Sequence, residues 1–461
     1  MLFSSIEFLF YFLPVVLAGY FLLPRRLKNL WLLVVSLVFY AWGEPKFVLL
    51  MAASILLNYL WGLGIAYSQK PLWRKTFLVL SGLTCLGLLG VFKYADFAVE
   101  NVNALLGTRF PLPKIVLPIG ISFYSFQILS YTIDVYRGRV EVQKNPLDFG
   151  CYVALFPQLI AGPIVRYVDV ARELENRQTH WADVEIGVRR FLIGLGKKVL
   201  IANQLGAFVE VFRQSGEKSL IFYWLYAIGF SLHIYFDFSG YSDMAIGLGR
   251  IFGFHFPENF NYPYLSASVQ EFWRRWHMTL GGWFRDYLYI PLGGSRVSRG
   301  KWLRNVLFVW LFTGLWHGAA WNFVLWGLLF AALLLLEKWV PALKKWPLWL
   351  RHTYVLAAVA FSFVLFNASS LAQAGQDLAA MVGLGGLPLV TPATLYYLRS
   401  YGVVFLAAMV GSTPLLRDLC LRQQEKKGFR AVEALFLGGI LLLCTASLVD
   451  GSFNPFLYFR F

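Results

Sequence analysis

Long apolar runs separated by short charged patches dominate the pattern of this chain. A helix needs about 20 apolar residues to cross the hydrocarbon core of a bilayer, and a lipid-exposed backbone must satisfy its own hydrogen bonds, which favours helices. The candidate spans lie near residues 6–23, 30–42, 47–67, 76–92, 115–136, 191–212, 220–236, 242–254, 306–336, 354–371, 395–410 and 432–448. We therefore predict an all-α polytopic transmembrane bundle of about eleven spans, in which 306–336 forms two helices that turn at Gly318.

Several segments do not fit a simple span. Residues 150–165 are apolar but short and contain Pro157 and Pro163, and the polar stretch 166–185 has a helical pattern. Together they predict a re-entrant element followed by an amphipathic surface helix. Residues 255–304 are crowded with aromatic and cationic side chains and are predicted to lie at the interface, whereas the small residues of 367–394 predict a loop. No internal repeat is found, so one membrane domain over residues 1–461 is the simplest organisation.

Composition supports the membrane class. The chain of 461 residues is 58% hydrophobic and 14% charged, with a mean hydropathy of +0.59, whereas soluble domains carry about 25% charged residues. The net charge of +16 would fit nucleic-acid binding in a soluble protein, but cytoplasmic loops of membrane proteins collect Lys and Arg, so we expect no nucleic-acid partner. The four cysteines have neither metal-ligand nor CxxC spacing, so no metal or disulfide is predicted.

The distribution of cations predicts the orientation in the membrane. The loops after the first, third and fifth spans hold nine Lys and Arg residues, against four in the alternate loops. These are Arg25, Arg26, Lys28, Lys70, Arg74, Lys75, Arg137, Arg139 and Lys144 in the first set and Lys46, Lys93, Arg109 and Lys114 in the second. The positive-inside rule then puts the N-terminus outside the cytoplasm. The first apolar run lacks a preceding positive region, which favours a retained helix over a signal peptide.

Ionisable residues inside spans are rare and costly, so the six histidines are site candidates. His180 and His352 have polar surroundings and are expected to be inert, and His255 to be a helix cap or interface residue. His233 can pair with Asp237 one turn later, which favours a structural role over a catalytic one.

His317 is the exception, because it lies inside the apolar run LFTGLWHGAAWNFVLWG with no carboxylate nearby in sequence. It follows Arg304 by roughly 20 Å of helix, deep enough to lie in the hydrocarbon core. A neutral imidazole there could act as a general base, and Gly314 and Gly318 would let another backbone or a ligand approach. A histidine simply packed in the core explains the pattern equally well.

The segment VQEFWRRWHMTLGGWFRDYLYIPLGGSR is the second candidate. On a helix, Trp273, Trp276 and Leu280 would share one face, which is typical of an aromatic-belt helix with snorkelling arginines. The functional alternative joins His277 to a cationic surface for phosphates or an acidic carrier protein. The cations of that surface are Arg274, Arg275 and Arg285.

The stretch YFDFSGYSDMAIGLGRIFGFHFPENFNYPYLSASVQEFWRRWHMTLGGWFRDYLYIPLGG resembles the membrane-bound O-acyltransferase (MBOAT) family, and most of all its alginate O-acetyltransferase branch. LPIGISFYSFQILSYTIDVYRG, FPQLIAGPIVRY, GLWHGAAWNFVLWG and the terminal NPFLYFRF resemble further segments in order. The resemblance implies helices around a central tunnel, with His317 as the catalytic residue and His277 as an assisting one. Trp276, Trp316 and Asn322 are candidates for the tunnel wall, and the last two for an oxyanion donor.

The activity implied is acetyl transfer from a cytoplasmic thioester, acetyl-CoA or an acetylated carrier protein, with no bound cofactor. By resemblance, an extracytoplasmic SGNH-type acetyltransferase would receive the group for polysaccharide O-acetylation at the bacterial inner membrane. Two alternatives remain open. One is D-alanyl transfer to teichoic acid or peptidoglycan acetylation within the family, and the other is a transporter or flippase, although broken helices in matching halves are not found.

Overall fold

The computed structural model describes residues 1–426 and 428–451, and every regular element in these ranges is helical. The helices of residues 1–202 are α1 Leu13–Leu22, α2 Arg25–Gly43, α3 Val48–Tyr67, α4 Pro71–Leu106, α5 Ile121–Tyr136, α6 Pro146–Ala154, α7 Phe156–Leu159, α8 Tyr167–Asn176 and α9 Trp181–Gly196. The later helices are α10 Asn203–Gln214, α11 Leu220–Ile251, α12 Val269–Arg275, α13 Met278–Phe284, α14 Arg299–His317, α15 Trp321–Trp339, α16 Leu348–Asn367, α17 Leu371–Met381, α18 Pro392–Gly411, α19 Leu415–Gln423 and α20 Phe429–Val449. The predicted all-α polytopic bundle is confirmed, while the segment NPFLYFRF lies outside the described residues.

The contacts divide the chain into two compact units. The first comprises Met1–Phe191 and Met244–Pro257, and the second comprises Leu192–Asp243 and the described residues from Glu258 onward. The single membrane domain expected from the sequence stays a prediction. The candidates for catalysis, the tunnel wall and donor recruitment belong to the second unit, whereas His180 and His255 belong to the first.

Eight helices of the described residues are long and apolar enough to cross a membrane, and residues Glu7–Leu22 form a shorter apolar helical segment. The eight correspond to Val48–Tyr67, Pro71–Leu106, Trp181–Gln214, Leu220–Ile251, Trp321–Trp339, Leu348–Asn367, Pro392–Gly411 and Phe429–Val449. The chain is therefore a multi-pass membrane protein. The number is below eleven partly because α2 and α14 have 19 residues each but fall outside this set.

The predicted break between 236 and 242 is wrong, because α11 continues through it. The polar residues that suggested a break are neutralised by two neighbouring lysines. Lys198 Nζ lies 2.6 Å from Asp237 Oδ1, and Lys197 Nζ lies 2.7 Å from Asp243 Oδ2. Buried charges are tolerated when they are paired, so the helix need not end there. The sequence analysis paired Asp237 with His233, whereas the structure pairs it with Lys198.

Two other segments differ from expectation. The predicted loop 367–394 contains α17, whose first turn is capped by the Ser370 hydroxyl accepting from Gln373 N. The amphipathic stretch 166–185 is split between α8 and the start of α9. The predicted turn near Gly318 is confirmed, since α14 ends at His317 and α15 begins at Trp321.

The hairpin of α14 and α15 is packed at glycines. A Cβ on Gly314 would lie 2.3 Å from Phe323 O, and one on Gly327 would lie 2.2 Å from Trp310 O. Only glycine allows this backbone approach, so the close packing expected around Gly314 is present. The hairpin packs into an aromatic core that includes Trp326, Phe330 and Phe363.

Candidate active site

His277 lies at a sharp break between two short helices. Its φ of 42° and ψ of 52° are in the left-handed region, after α12 and immediately before α13. A non-glycine residue in this conformation costs free energy and is held by its surroundings. The prediction of one continuous helix through this segment is therefore wrong.

The break separates the three residues predicted to share a face. Trp273 and Leu280 line a cavity. Trp276 instead packs in the aromatic core, where its ring centroid lies 5.5 Å from Phe272 and 5.2 Å from Phe363. In this structure Trp276 therefore has a packing role.

The side chain and neighbouring backbone of His277 are tied to Asn259. Asn259 Oδ1 lies 3.1 Å from His277 Nδ1, and the backbone N–H of Met278 donates to Asn259 O at 2.9 Å. His277 is only 1% exposed. Burial is the main cause that holds the pKa of His277 well below its ordinary value, and the neighbouring His317 is the second. The imidazole is therefore neutral at pH 7.

His317 is the last residue of α14 and is 5% exposed. Its ring lies between aromatic rings, with centroid distances of 5.0 Å to Trp316, 5.0 Å to Trp326 and 5.4 Å to Phe366. The His277 ring centroid is 6.4 Å away. The two predicted histidines, 40 residues apart in sequence, are therefore brought together, which a packed core histidine alone would not explain.

A cavity of about 920 Å³ approaches the histidine pair from one side. It follows one face of α14 from Trp302 to Thr313, a length of about 17 Å at the helical rise. Its wall includes His277 and Thr313, which precedes His317 by one helical turn. The cavity therefore borders His277 directly and comes within one helical turn of His317 along α14.

The cavity wall is cationic. It contains five Lys and Arg side chains and one carboxylate, namely Arg274, Arg285, Lys338, Lys344, Arg351 and Glu337. The Glu337 carboxylate accepts from the backbone N–H groups of Val269 and Gln270, at 2.5 and 3.1 Å. It therefore caps the N-terminus of α12, and its single negative charge leaves the wall with an excess of cations. Such a wall favours an anionic ligand.

Arg275 does not belong to this wall. It forms an ion pair with Glu271 at 2.8 Å and donates to Asn261 O at 3.3 Å. Two of the three arginines predicted to recruit a donor, Arg274 and Arg285, thus line the cavity, and the third holds the local chain.

Of the two remaining predicted residues, Trp316 contacts the histidine pair, whereas the Asn322 side chain binds backbone carbonyls elsewhere. Trp316 contacts both histidines, with ring centroids 5.7 Å from His277 and 5.0 Å from His317. The Asn322 amide donates to Phe366 O at 3.2 Å and Ala368 O at 3.1 Å. Both of its N–H groups are thus used at the end of α16, which leaves no amide donor for an oxyanion.

Two of the other histidines, His255 and His352, have local partners for their side chains. His255 Nδ1 lies 2.6 Å from Glu173 Oε1, and His352 Nδ1 lies 3.0 Å from Ser266 O. The backbone carbonyl of His180 accepts from Asp183 N at the start of α9. The sequence analysis did not identify Asn259 or Glu337. Asn259 lies in the irregular segment before Pro263 and Glu337 lies inside the apolar helix α15, and neither position carries a local signal of its partner.

Comparison with known proteins identifies relatives of the whole site. The family model described as MBOAT, membrane-bound O-acyltransferase family, matches residues 139–373, which include both histidines. The probable alginate O-acetylase AlgI of Azotobacter vinelandii is 44% identical over 393 residues, covering 84% of this chain and 79% of that protein. The peptidoglycan O-acetyltransferase of Helicobacter pylori is 37% identical over 427 residues, covering 84% and 81%. The teichoic acid D-alanyltransferase of Bacillus subtilis is 30% identical over 277 residues, covering 56% and 69%.

Proposed function

Because this chain belongs to the membrane-bound O-acyltransferase family and is therefore an O-acyltransferase, we propose that it transfers acetyl from a cytoplasmic thioester to an extracytoplasmic acceptor for polysaccharide O-acetylation. The observation that carries the proposal is the cationic cavity lined by His277 and by Thr313, which lies one helical turn before His317. Similarity to alginate O-acetylases over most of the chain supports acetyl as the transferred group.

The cavity has the chemistry expected for a phosphopantetheine thioester. Arg285 is paired with Asp286 at 2.8 Å, and the other four cations suit the phosphates that acetyl-CoA and an acetylated carrier protein share. The aromatic wall suits the slender pantetheine arm, and Trp273 Nε1 and Tyr354 Oη have no hydrogen-bond partner within residues 1–426 and 428–451. These two groups could bind the arm's amides. Lys338 already packs over the Trp302 ring at 3.6 Å, which orders one side of the wall.

The chemical step is acyl transfer from sulfur to oxygen. Neutral His317 removes the proton from the acceptor hydroxyl as its oxygen attacks the thioester carbonyl, forming a tetrahedral intermediate. Collapse of the intermediate breaks the C–S bond, and the protonated imidazole returns the proton to the leaving thiolate. His277 lines the cavity, which supports a place beside the donor, and the His317 ring lies 6.4 Å from it outside the cavity wall, which supports a place beside the acceptor.

The acceptor side follows from orientation. Arg299, Lys301 and Arg304 cluster at the start of α14, and the positive-inside rule supports placing this end at the cytoplasmic face of the bacterial inner membrane. The acceptor then meets His317 from the opposite side. We propose an SGNH-type extracytoplasmic acetyltransferase as the partner that receives the group and passes it to the polysaccharide.

The test uses the purified protein in proteoliposomes with acetyl donor labelled in the acetyl group. Wild type should transfer label to the added acceptor, and His317→Ala should lower the rate by about 10²–10⁴, the usual contribution of a general base. His352→Ala is the matched control and should transfer at the wild-type rate. Near-wild-type transfer by a folded His317→Ala variant would remove the catalytic assignment.

Supplying acetyl-CoA or an acetylated carrier protein separately identifies the donor. Transport without any new ester would favour the transporter alternative instead. Transfer of D-alanine but not acetyl would move the chain to the D-alanyl transferases, which match a smaller share of it.

A further inference from the structure

Asn259 makes a set of contacts that determines which nitrogen of His277 carries the proton. Its side-chain oxygen faces three donors, His277 Nδ1 at 3.1 Å, Thr279 Oγ1 at 2.9 Å and Thr279 N at 3.4 Å. Its side-chain nitrogen donates to Ser242 Oγ at 3.1 Å. Asn259 is 1% exposed, so water does not compete for these bonds.

The orientation of the Asn259 amide is decided by Thr279. A backbone N–H can only donate, so the atom it faces must be the amide oxygen. That oxygen has no hydrogen to give, and His277 Nδ1 must therefore donate to it. In a neutral imidazole with the proton on Nδ1, Nε2 keeps its lone pair and can only accept.

His277 Nε2 makes no hydrogen bond to the residues of 1–426 and 428–451, although it is buried. The rings next to it are Phe238 of α11 and Trp316 and His317 of α14, and the cavity wall that includes His277 also contains Arg274 and Arg285. An unpartnered acceptor nitrogen in a buried wall is costly unless a ligand uses it. The lone pair is therefore available to a donor hydrogen from a reactant.

We propose that Asn259 is a positioning residue that holds His277 in the neutral tautomer with its proton on Nδ1, so that Nε2 accepts a hydrogen bond from a reactant during transfer. This proposal rests on the proposed function of the same site. It assigns His277 a role that excludes donation to an oxyanion, because no proton is available on Nε2. The left-handed backbone of His277 contributes by keeping Nδ1 against Asn259.

The first test reads the tautomer directly. Nitrogen-15 NMR of the full chain with ¹⁵N-labelled histidine distinguishes protonated from unprotonated ring nitrogens, and the spectrum of His277→Gln identifies the His277 signals by difference. Wild type at neutral pH should show protonated Nδ1 and unprotonated Nε2. A protonated Nε2 would overturn the proposal, and this result does not depend on acetyl transfer.

The second test separates positioning from packing. Asn259→Asp keeps the shape and the acceptor but adds a negative charge, which raises the pKa of an adjacent imidazole by about 1–3 units. The acid limb of the transfer rate and the NMR titration of His277 should both move up by at least about one pH unit. An unchanged titration and rate profile in this folded variant would leave Asn259 with a packing role only.

Two further variants complete the set. Asn259→Ala should leave both nitrogens of His277 partly protonated and lower transfer by about tenfold or more. Thr279→Val removes another donor to the same oxygen but leaves the His277 bond, so tautomer and pH profile should match wild type. If the wild-type protein transfers no acetyl group, the proposed function is rejected. An altered tautomer of His277 in Asn259→Ala would support the positioning role even in that case.

Discussion

Replacing Gly314 with alanine tests whether the close hairpin of α14 and α15 positions His317. The new Cβ would lie 2.3 Å from Phe323 O, whereas ordinary contacts begin at 3.4 Å, so the two backbones must separate by about 1.1 Å. Overpacking of this kind costs about 1–3 kcal/mol. Because His317 is three residues further on the same helix, its ring should shift by a similar distance.

A displacement of about 1 Å at a catalytic group can lower the rate about 10²-fold. We therefore expect Gly314→Ala to reduce labelled acetyl transfer about a hundredfold while the protein remains inserted and gives a cooperative thermal transition in detergent. Gly300→Ala is the matched control on the same helix, because nothing lies within 4 Å of its Cβ position. Transfer by folded Gly314→Ala within threefold of wild type would refute the idea that this contact positions His317.

Three further predictions follow from charge and orientation. Arg274→Glu should raise the donor KM about fivefold or more with little change in kcat, an effect that weakens in high salt, whereas Arg275→Glu outside the cavity should not. Since burial lowers the pKa of His277, its protonation should begin only well below the ordinary value near 6.5, and the ¹⁵N NMR signals of His277 should change little between about pH 8 and 6.5. A titration of these signals centred on that ordinary value would contradict the prediction. In a Cys420→Ser background, which removes the one exposed cysteine of the described residues, Leu72→Cys should resist an impermeant thiol reagent applied to intact cells, and labelling would reverse the orientation.

Local pattern was sufficient for the class of fold. Apolar runs of bilayer length can only be satisfied as helices, and a histidine deep in such a run with glycines on either side is conspicuous, although a packed core histidine explains that pattern equally well. The motifs around His277 and His317 identified the family, which the comparisons confirm. It was this resemblance, and not local pattern, that selected both histidines as site residues.

Tertiary contacts decided what local pattern could not. The segment 269–284 has the pattern of one helix, but it breaks at His277, where the backbone of Asn259, 18 residues earlier, accepts from Met278. Likewise α11 continues through a polar stretch because Lys197 and Lys198 supply its counter-charges. The proton position on His277 and the cap on α12 depend on Asn259 and on Glu337, which lies 68 residues from Val269. Sequence periodicity reports only neighbours within a few residues along one helix, and each of these features is set by a partner that folding brings in from elsewhere.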